Sequence, residues 1–439
     1  MKKLPLFLLL SILLVFSSNA QEVSFEEYDL SNGLHVILHK DNTAPIVVTS
    51  IAYHVGAKDE DPERTGFAHF FEHLLFEGTK NIGRGEWDKI VSSKGGRNNA
   101  TTNDDRTYYY EVFPSNALET GLWLESERLL HPVIEQVGVD TQNEVVKEEK
   151  RLRVDNRPYG NLLAEIKKNL FVEHPYRWST IGSMEHLDAA TLEEFIAFNN
   201  KFYIPNNAAL IIAGDIDIPS TKKMIQDYFG PIPKGAKIEH SFPKEKPITQ
   251  EFKATAYDTN IQIPAIVACY RTPSFTTRDA RVLDMISTYL SNGNSSKLYK
   301  KLVDDKKMAL AVQAVNLSQE DYGIYAILAL PLGETSLDAL VMEFDEEIQK
   351  LQTELISEKD HKKLLNQFEN QFVNSNATLE GVAGSLANYY LLYGDTSLIN
   401  TEIDLYRSIT REEIRDVAKK HLGSNQRLLL EYLPKTENQ

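Results

Sequence analysis

His69, Glu72 and His73 carry the side chains in this chain best suited to do chemistry, and they stand together in the run His69-Phe-Phe-Glu72-His73. Around them Phe67, Phe70, Phe71, Leu74 and Leu75 recur at helical spacing, which predicts an amphipathic helix with an apolar stripe. At about 100° per residue, His69 and His73 lie roughly 40° apart on one side of that helix, with Glu72 beside them. Two neutral imidazoles one turn apart can grip one divalent ion, and a neighbouring carboxylate can take a proton from water activated there. The pattern H-x-x-E-H is the H-E-x-x-H motif of zinc hydrolases in reverse order. The spacing therefore predicts a hydrolytic zinc site.

Elements on either side must hold this helix in place. Residues 23–30 and 34–38, joined through Ser31-Asn32-Gly33, read as a hairpin, and 46–55 as a largely apolar third strand. A helix at 86–93 is followed by a break at Gly95-Gly96, and 107–113 alternates as a strand. Helices follow at 116–130, 139–154, 162–171 and 192–199, then a strand at 208–213 and a helix to Phe229. The proline- and lysine-rich stretch 231–247 has no sustained apolar period and reads as a linker. Beyond it the order repeats: a strand at 263–270, a helix at 280–290, a strand at 323–330, later helices, and a closing strand at 427–432. We expect an α+β fold of two similar halves, 21–230 and 248–439, fitting an internal duplication. With their first helices overlaid, Asp284, Ser287 and Thr288 take the places of His69, Glu72 and His73, so the second half lacks a metal pentad.

Catalytic zinc usually takes three protein ligands and leaves a fourth position open. The predicted 139–154 helix offers Glu144, Glu148 and Glu149, among which spacing alone does not choose. The stretch from Thr65 to Gly78, with Asn98-Asn-Ala-Thr-Thr102 and Asn143-Glu-Val-Val-Lys-Glu-Glu149, resembles the pitrilysin, insulysin and mitochondrial processing peptidase family. His174-Pro-Tyr176, Ile181-Gly182-Ser183, Tyr203-Ile-Pro-Asn-Asn207 and Tyr393-Gly394-Asp395 extend the likeness over nearly the whole chain. The resemblance implies a zinc metalloendopeptidase in which Zn2+ is held by His69, His73 and a glutamate about seventy-five residues further on, with Glu72 as general base. Val145-Val146-Lys147-Glu148 matches the pattern that carries this glutamate, which makes Glu148 the expected ligand and Glu149 next in line. It further implies that Asn99 binds substrate main chain from an edge strand, that unfolded peptides are the substrates, and that two such chains or a related second subunit work together.

Three positions depart from the family pattern. Thr141 stands where an acidic residue often lies two turns before the ligand glutamate, with Glu144 a candidate substitute. Val303 and Leu310 fall where many members carry a substrate-contacting Arg and Tyr, which keeps open a non-catalytic or partner-dependent subunit. Some relatives also fuse two copies into one polypeptide, whereas this sequence has one. His54, His174 and His186 have no ligand-spaced partner and read as structural or surface histidines.

Composition narrows the setting. A formal charge of -16 without a basic stripe argues against nucleic acid as partner. Lys2 and Lys3, an apolar run from Leu4 to Phe16 and Ser18-Asn19-Ala20 read as a signal peptide cut after Ala20, leaving an exported, periplasmic or secreted chain without stable membrane insertion. The single cysteine, Cys269, excludes an internal disulfide and reads as a buried strand thiol.

Overall fold

The computed structural model describes residues 22–435, so the leader expected at 1–20 lies outside the described residues. The first half builds a six-stranded sheet from β1 (Glu26–Asp29), β2 (His35–Lys40), β3 (Ile46–Tyr53), β4 (Arg97–Thr102), β5 (Thr107–Pro114) and β6 (Ala208–Gly214). The second builds a five-stranded sheet from β7 (Phe252–Asp258), β8 (Ala265–Pro273), β9 (Ala309–Ser318), β10 (Tyr322–Pro331) and β11 (Arg427–Pro434). Strand order is β1-β2-β6-β3-β5-β4 in one and β7-β11-β8-β10-β9 in the other. The β2–β6 and β7–β11 pairs are parallel, and every pairing from there to β4 or β9 is antiparallel. From β2 onward the two sheets thus share one topology, as a duplication requires.

Each half begins its helices in the same way. β3 leads to α1 (Phe67–Leu74), which carries the pentad, and α2 (Trp87–Ser93) precedes edge strand β4. α3 (Leu118–Leu130), α4 (Gln136–Lys150) and α5 (Leu162–Leu170) follow β5. In the second half, β8 leads to the helix Arg278–Ser291, which packs on edge strand β9. Residues 230–251 contain neither helix nor strand.

The packing crosses this connector in both directions. Ile166 and Leu170 of α5 are buried with Val267, Cys269, Leu428 and Leu430 of the second sheet. In return, Val382, Ala383 and Leu386 from the helix Leu379–Asn388 are buried against Ile37, Val48, Ala209 and Ile211 of the first. Both faces of β6 are therefore covered, which is why its Ala-Ala-Leu-Ile-Ile-Ala-Gly run is apolar throughout rather than alternating. Cys269 is fully buried, and burial pushes its thiol well above the ordinary range.

Candidate metal centre

α1 is fixed along its length by groups outside the helix, a nearby one at its start and remote ones further on. Gly66 precedes its first turn at φ +101°, a left-handed conformation that glycine adopts without penalty. The buried carboxylate of Glu60 accepts from the Gly66 and Ala68 N–H groups, both at 2.8 Å, so two of the free donors of the helix start are satisfied. At the other end Arg128 donates to Leu75 O at 3.0 Å, and Tyr109 of β5 donates to Phe71 O at 2.8 Å. Arg128 is itself neutralised by Glu125 and Glu111 and lies over the rings of Trp87 and Tyr109. Phe67, Phe70, Phe71 and Leu74 fill the core, which turns His69, Glu72 and His73 to the opposite side.

The face of α4 that meets α1 decides the third donor. Val146 is fully buried there, and Glu149, three residues on, lies about 60° from it around the helix; Glu148, two residues on, lies about 160° away. Glu149 Oε2 comes to 3.1 Å from His73 Nε2 and 3.6 Å from His69 Nε2. The expectation of Glu148 is corrected: its side chain is exposed and pairs with Arg151 at 3.0 Å. The neighbouring Val-Val-Lys-Glu pattern points one residue short, whereas the helical period from Val139 and Val146 would have selected Glu149.

His69, His73 and Glu149 each offer an atom within 4.8 Å of the others, the only such group of three among the described residues. Two imidazole nitrogens and one carboxylate oxygen are the donor set of a catalytic zinc site. Glu149 Oε2 is buried without a hydrogen bond of good geometry, an acceptor turned toward the histidines and otherwise unused. Burial, with His73 beside it, lowers the His69 imidazole to about 4, so the ring is neutral and free to ligate near neutral pH. The residues present fit a zinc ion.

Glu72 faces β4, where the Thr102 hydroxyl stands beside it. Burial raises its carboxyl above the usual range, opposed by Thr102 and His73, which favours a proton acceptor over an inert carboxylate. β4 is the outermost strand of its sheet, with Asn99 exposed on it and Asn99 Oδ1 accepting from Ala100 N–H at 2.9 Å. A peptide laid along this edge would pass Glu72.

The remaining expected positions lie apart from the three donors. Glu144 is exposed and paired with Lys147. Thr141 accepts from Arg84 and donates to Val137 O. Counted from Glu149, the position two turns earlier is Gln142, whose amide donates to Glu77 at 2.5 Å. Val303 packs against the second core, and Leu310 is exposed on edge strand β9. His54 pairs with Glu320, His186 with Thr65, and His174 is buried near Asp321. Glu60, Arg128 and Arg153 went unrecognised in the sequence because their partners are remote or lie across a turn whose winding spacing does not reveal.

Two α+β halves of one topology, with a histidine-histidine-glutamate cluster in the first and, among the described residues, none in the second, set out a duplicated architecture with one candidate zinc site. The model described as Insulinase (Peptidase family M16) matches residues 35–182, and Peptidase M16 inactive domain matches 189–368. The chain belongs to this family. It is 29% identical to the zinc protease PqqE of Helicobacter pylori over 83% of each chain. The crystal structure of a protease from Helicobacter pylori superposes with a TM-score of 0.87 at 26% identity, covering 94% of this chain and 100% of that one. The periplasmic protease PqqL of Escherichia coli shares the fold at a TM-score of 0.76 and 19% identity, over 94% of this chain but 48% of its own length.

Proposed function

We propose that this chain is an exported zinc metalloendopeptidase that hydrolyses peptides or unfolded polypeptides. The observation that carries this reading is the convergence of His69 Nε2, His73 Nε2 and Glu149 Oε2 beside Glu72, next to the open edge of β4. Zinc bound by these donors would supply Lewis acidity, acidifying water and polarising the scissile carbonyl. Glu72 takes the proton of the attacking water and delivers it to the leaving amine. Asn99 and the free main-chain groups of β4 hold the peptide extended, which asks for an unfolded backbone rather than a particular sequence. Export rests on the leader-like sequence of residues 1–20, and among the described residues no helix is long and apolar enough to cross a membrane.

A partner-dependent form of the same activity is favoured by one set of residues. Val303 and Leu310 stand where the family resemblance calls for Arg and Tyr, and a second copy or related subunit would supply those contacts and enclose the site. The correspondence of this chain to about half of PqqL fits such a pairing.

The test is peptide cleavage by the purified mature chain, with and without chelator, across a dilution series and with mass in solution followed by light scattering. Chelator-sensitive cleavage that falls on dilution supports both parts. Full specific activity in a monomer rejects the pairing, and cleavage by a metal-free chain rejects the zinc mechanism.

A further inference from the structure

A cavity of about 390 Å³ opens where the β4–β5 turn of the first half meets the second half. Leu163, Phe275 and Leu317 give it apolar wall, and Asp104, Arg106 and Lys167 line it with charge. Most of that charge is already matched. Lys167 Nζ sits 2.6 Å from Asp104, which also accepts from Gln319, and Asp105 is held by Lys58 at 3.1 Å and by the Tyr176 hydroxyl.

Arg106 is the exception. Its Nη1 reaches only the Thr101 hydroxyl, at 3.3 Å, its guanidinium lies 5.0 Å from the Tyr108 ring centre, and its buried Nε has no partner. Among the described residues no carboxylate stands within ion-pair distance of it, in a chain with 63 acidic and 47 basic residues. Burial pulls the guanidinium below its usual range, against the pull of Tyr108, Glu72 and Asp105. A half-buried guanidinium whose Nε is shut off from water and which has no counter-ion in reach is unfavourable, and a ligand's anion would relieve it. The turn that presents it is well built, with Asn103 Oδ1 accepting from the N–H groups of Asp105 and Arg106, both at 2.8 Å.

The turn also fixes where that anion would come from. β4 ends at Thr102, beside Glu72, and Arg106 follows four residues later in the same hairpin. A peptide lying on β4 with its scissile bond at Glu72 would carry its neighbouring groups toward this cavity. We infer that Arg106 is a specificity-determining residue that receives a carboxylate of the peptide substrate in the cavity between the halves. A planar guanidinium takes a carboxylate through two parallel hydrogen bonds, and the apolar walls suit the stem that bears it. This inference rests on the peptidase reading above.

The test uses the full mature chain as zinc-loaded Glu72→Gln, so that peptides bind without turnover, after wild-type cleavage has located the scissile bond by mass spectrometry. Calorimetric titration then compares matched peptides: Glu against Gln at each position around that bond, and a free C-terminal acid against its amide. One acidic member should bind about tenfold tighter than its neutral partner. A Glu/Gln difference assigns the cavity to an acidic side chain, and an acid/amide difference to a chain terminus. Arg106→Gln in the same background should bring the ratio close to one, while Arg106→Lys keeps part of it, with melting curves reporting the fold of both. Equal binding of every pair, or a preference that survives Arg106→Gln, overturns the inference and leaves the peptidase reading standing. Failure of a folded, zinc-loaded wild type to cleave any peptide removes that reading, and this inference with it.

Discussion

Arg153 Nη1 forms an ion pair with Glu149 Oε1 at 2.6 Å, while the other oxygen of the same carboxylate turns to His73 and His69. The guanidinium comes from the π-helical turn Arg151–Asp155 that continues α4, where wider winding follows the ligand-bearing segment. Holding one oxygen sets the rotation of the other, as outer partners commonly do for ligating carboxylates. Arg153→Ala should therefore weaken zinc binding by about tenfold without unfolding the chain. Competition against a chromophoric chelator measures this, and an unchanged affinity would dismiss Arg153 as a surface residue.

Removing the third donor should separate the two adjacent glutamates. Glu149→Ala leaves two imidazoles, too few for a stable site, and should lose most of its zinc. Glu148→Ala removes only an exposed pair with Arg151 and should retain close to a full equivalent. Elemental analysis of both purified variants decides, and the opposite pattern would refute the geometry of the α1–α4 contact.

Glu72→Gln should keep zinc and lose turnover. The amide preserves shape but has no basic oxygen to accept the proton, so kcat should fall by about a thousandfold. Metal content and single-turnover cleavage, measured on one preparation, give the answer. A rate near that of the wild type would remove Glu72 from the role of base.

Asp284 makes a pH prediction away from the zinc site. It lines the cavity of about 780 Å³ beside β9, and accepts from Asn316 and the Tyr406 hydroxyl, each at 2.8 Å. Burial raises its carboxyl to about 6 despite those two donors. The folded chain therefore keeps a proton that the unfolded chain has already lost, so this group's contribution to stability declines as pH rises from about 4 to about 6 and is level above. The loss is about 3 kcal/mol on this accounting. Asp284→Asn should remove that slope, read as the difference between wild-type and variant melting temperatures at pH 4.5 and 7. A difference independent of pH would refute it.

Local regularity made much of this protein legible from its residues. The apolar stripe beside His69 and His73 specified α1 and the face it exposes, and the β1–β2 hairpin and the buried run of β6 followed from turn chemistry and hydrophobic content. The repeated order of strands and helices pointed to two similar halves, which the matching sheet topologies bear out. β7 and β9 escaped notice because half or more of their residues are exposed or only partly buried, leaving little apolar signal. β4, polar along most of its length, emerged as an edge strand only through family likeness.

What tertiary structure alone decided lies between elements. Glu148 and Glu149 are chemically alike and adjacent, and only the rotation of α4 against α1, set by burial of Val146, makes one a donor and the other a surface charge. The exchange of α5 and the helix Leu379–Asn388 between the two sheets follows from which apolar faces meet, and those faces lie far apart in sequence. The isolation of Arg106 has the same origin. A charge is unpaired only relative to every group folded around it, and sequence spacing carries no record of groups that arrive from the other half of the chain.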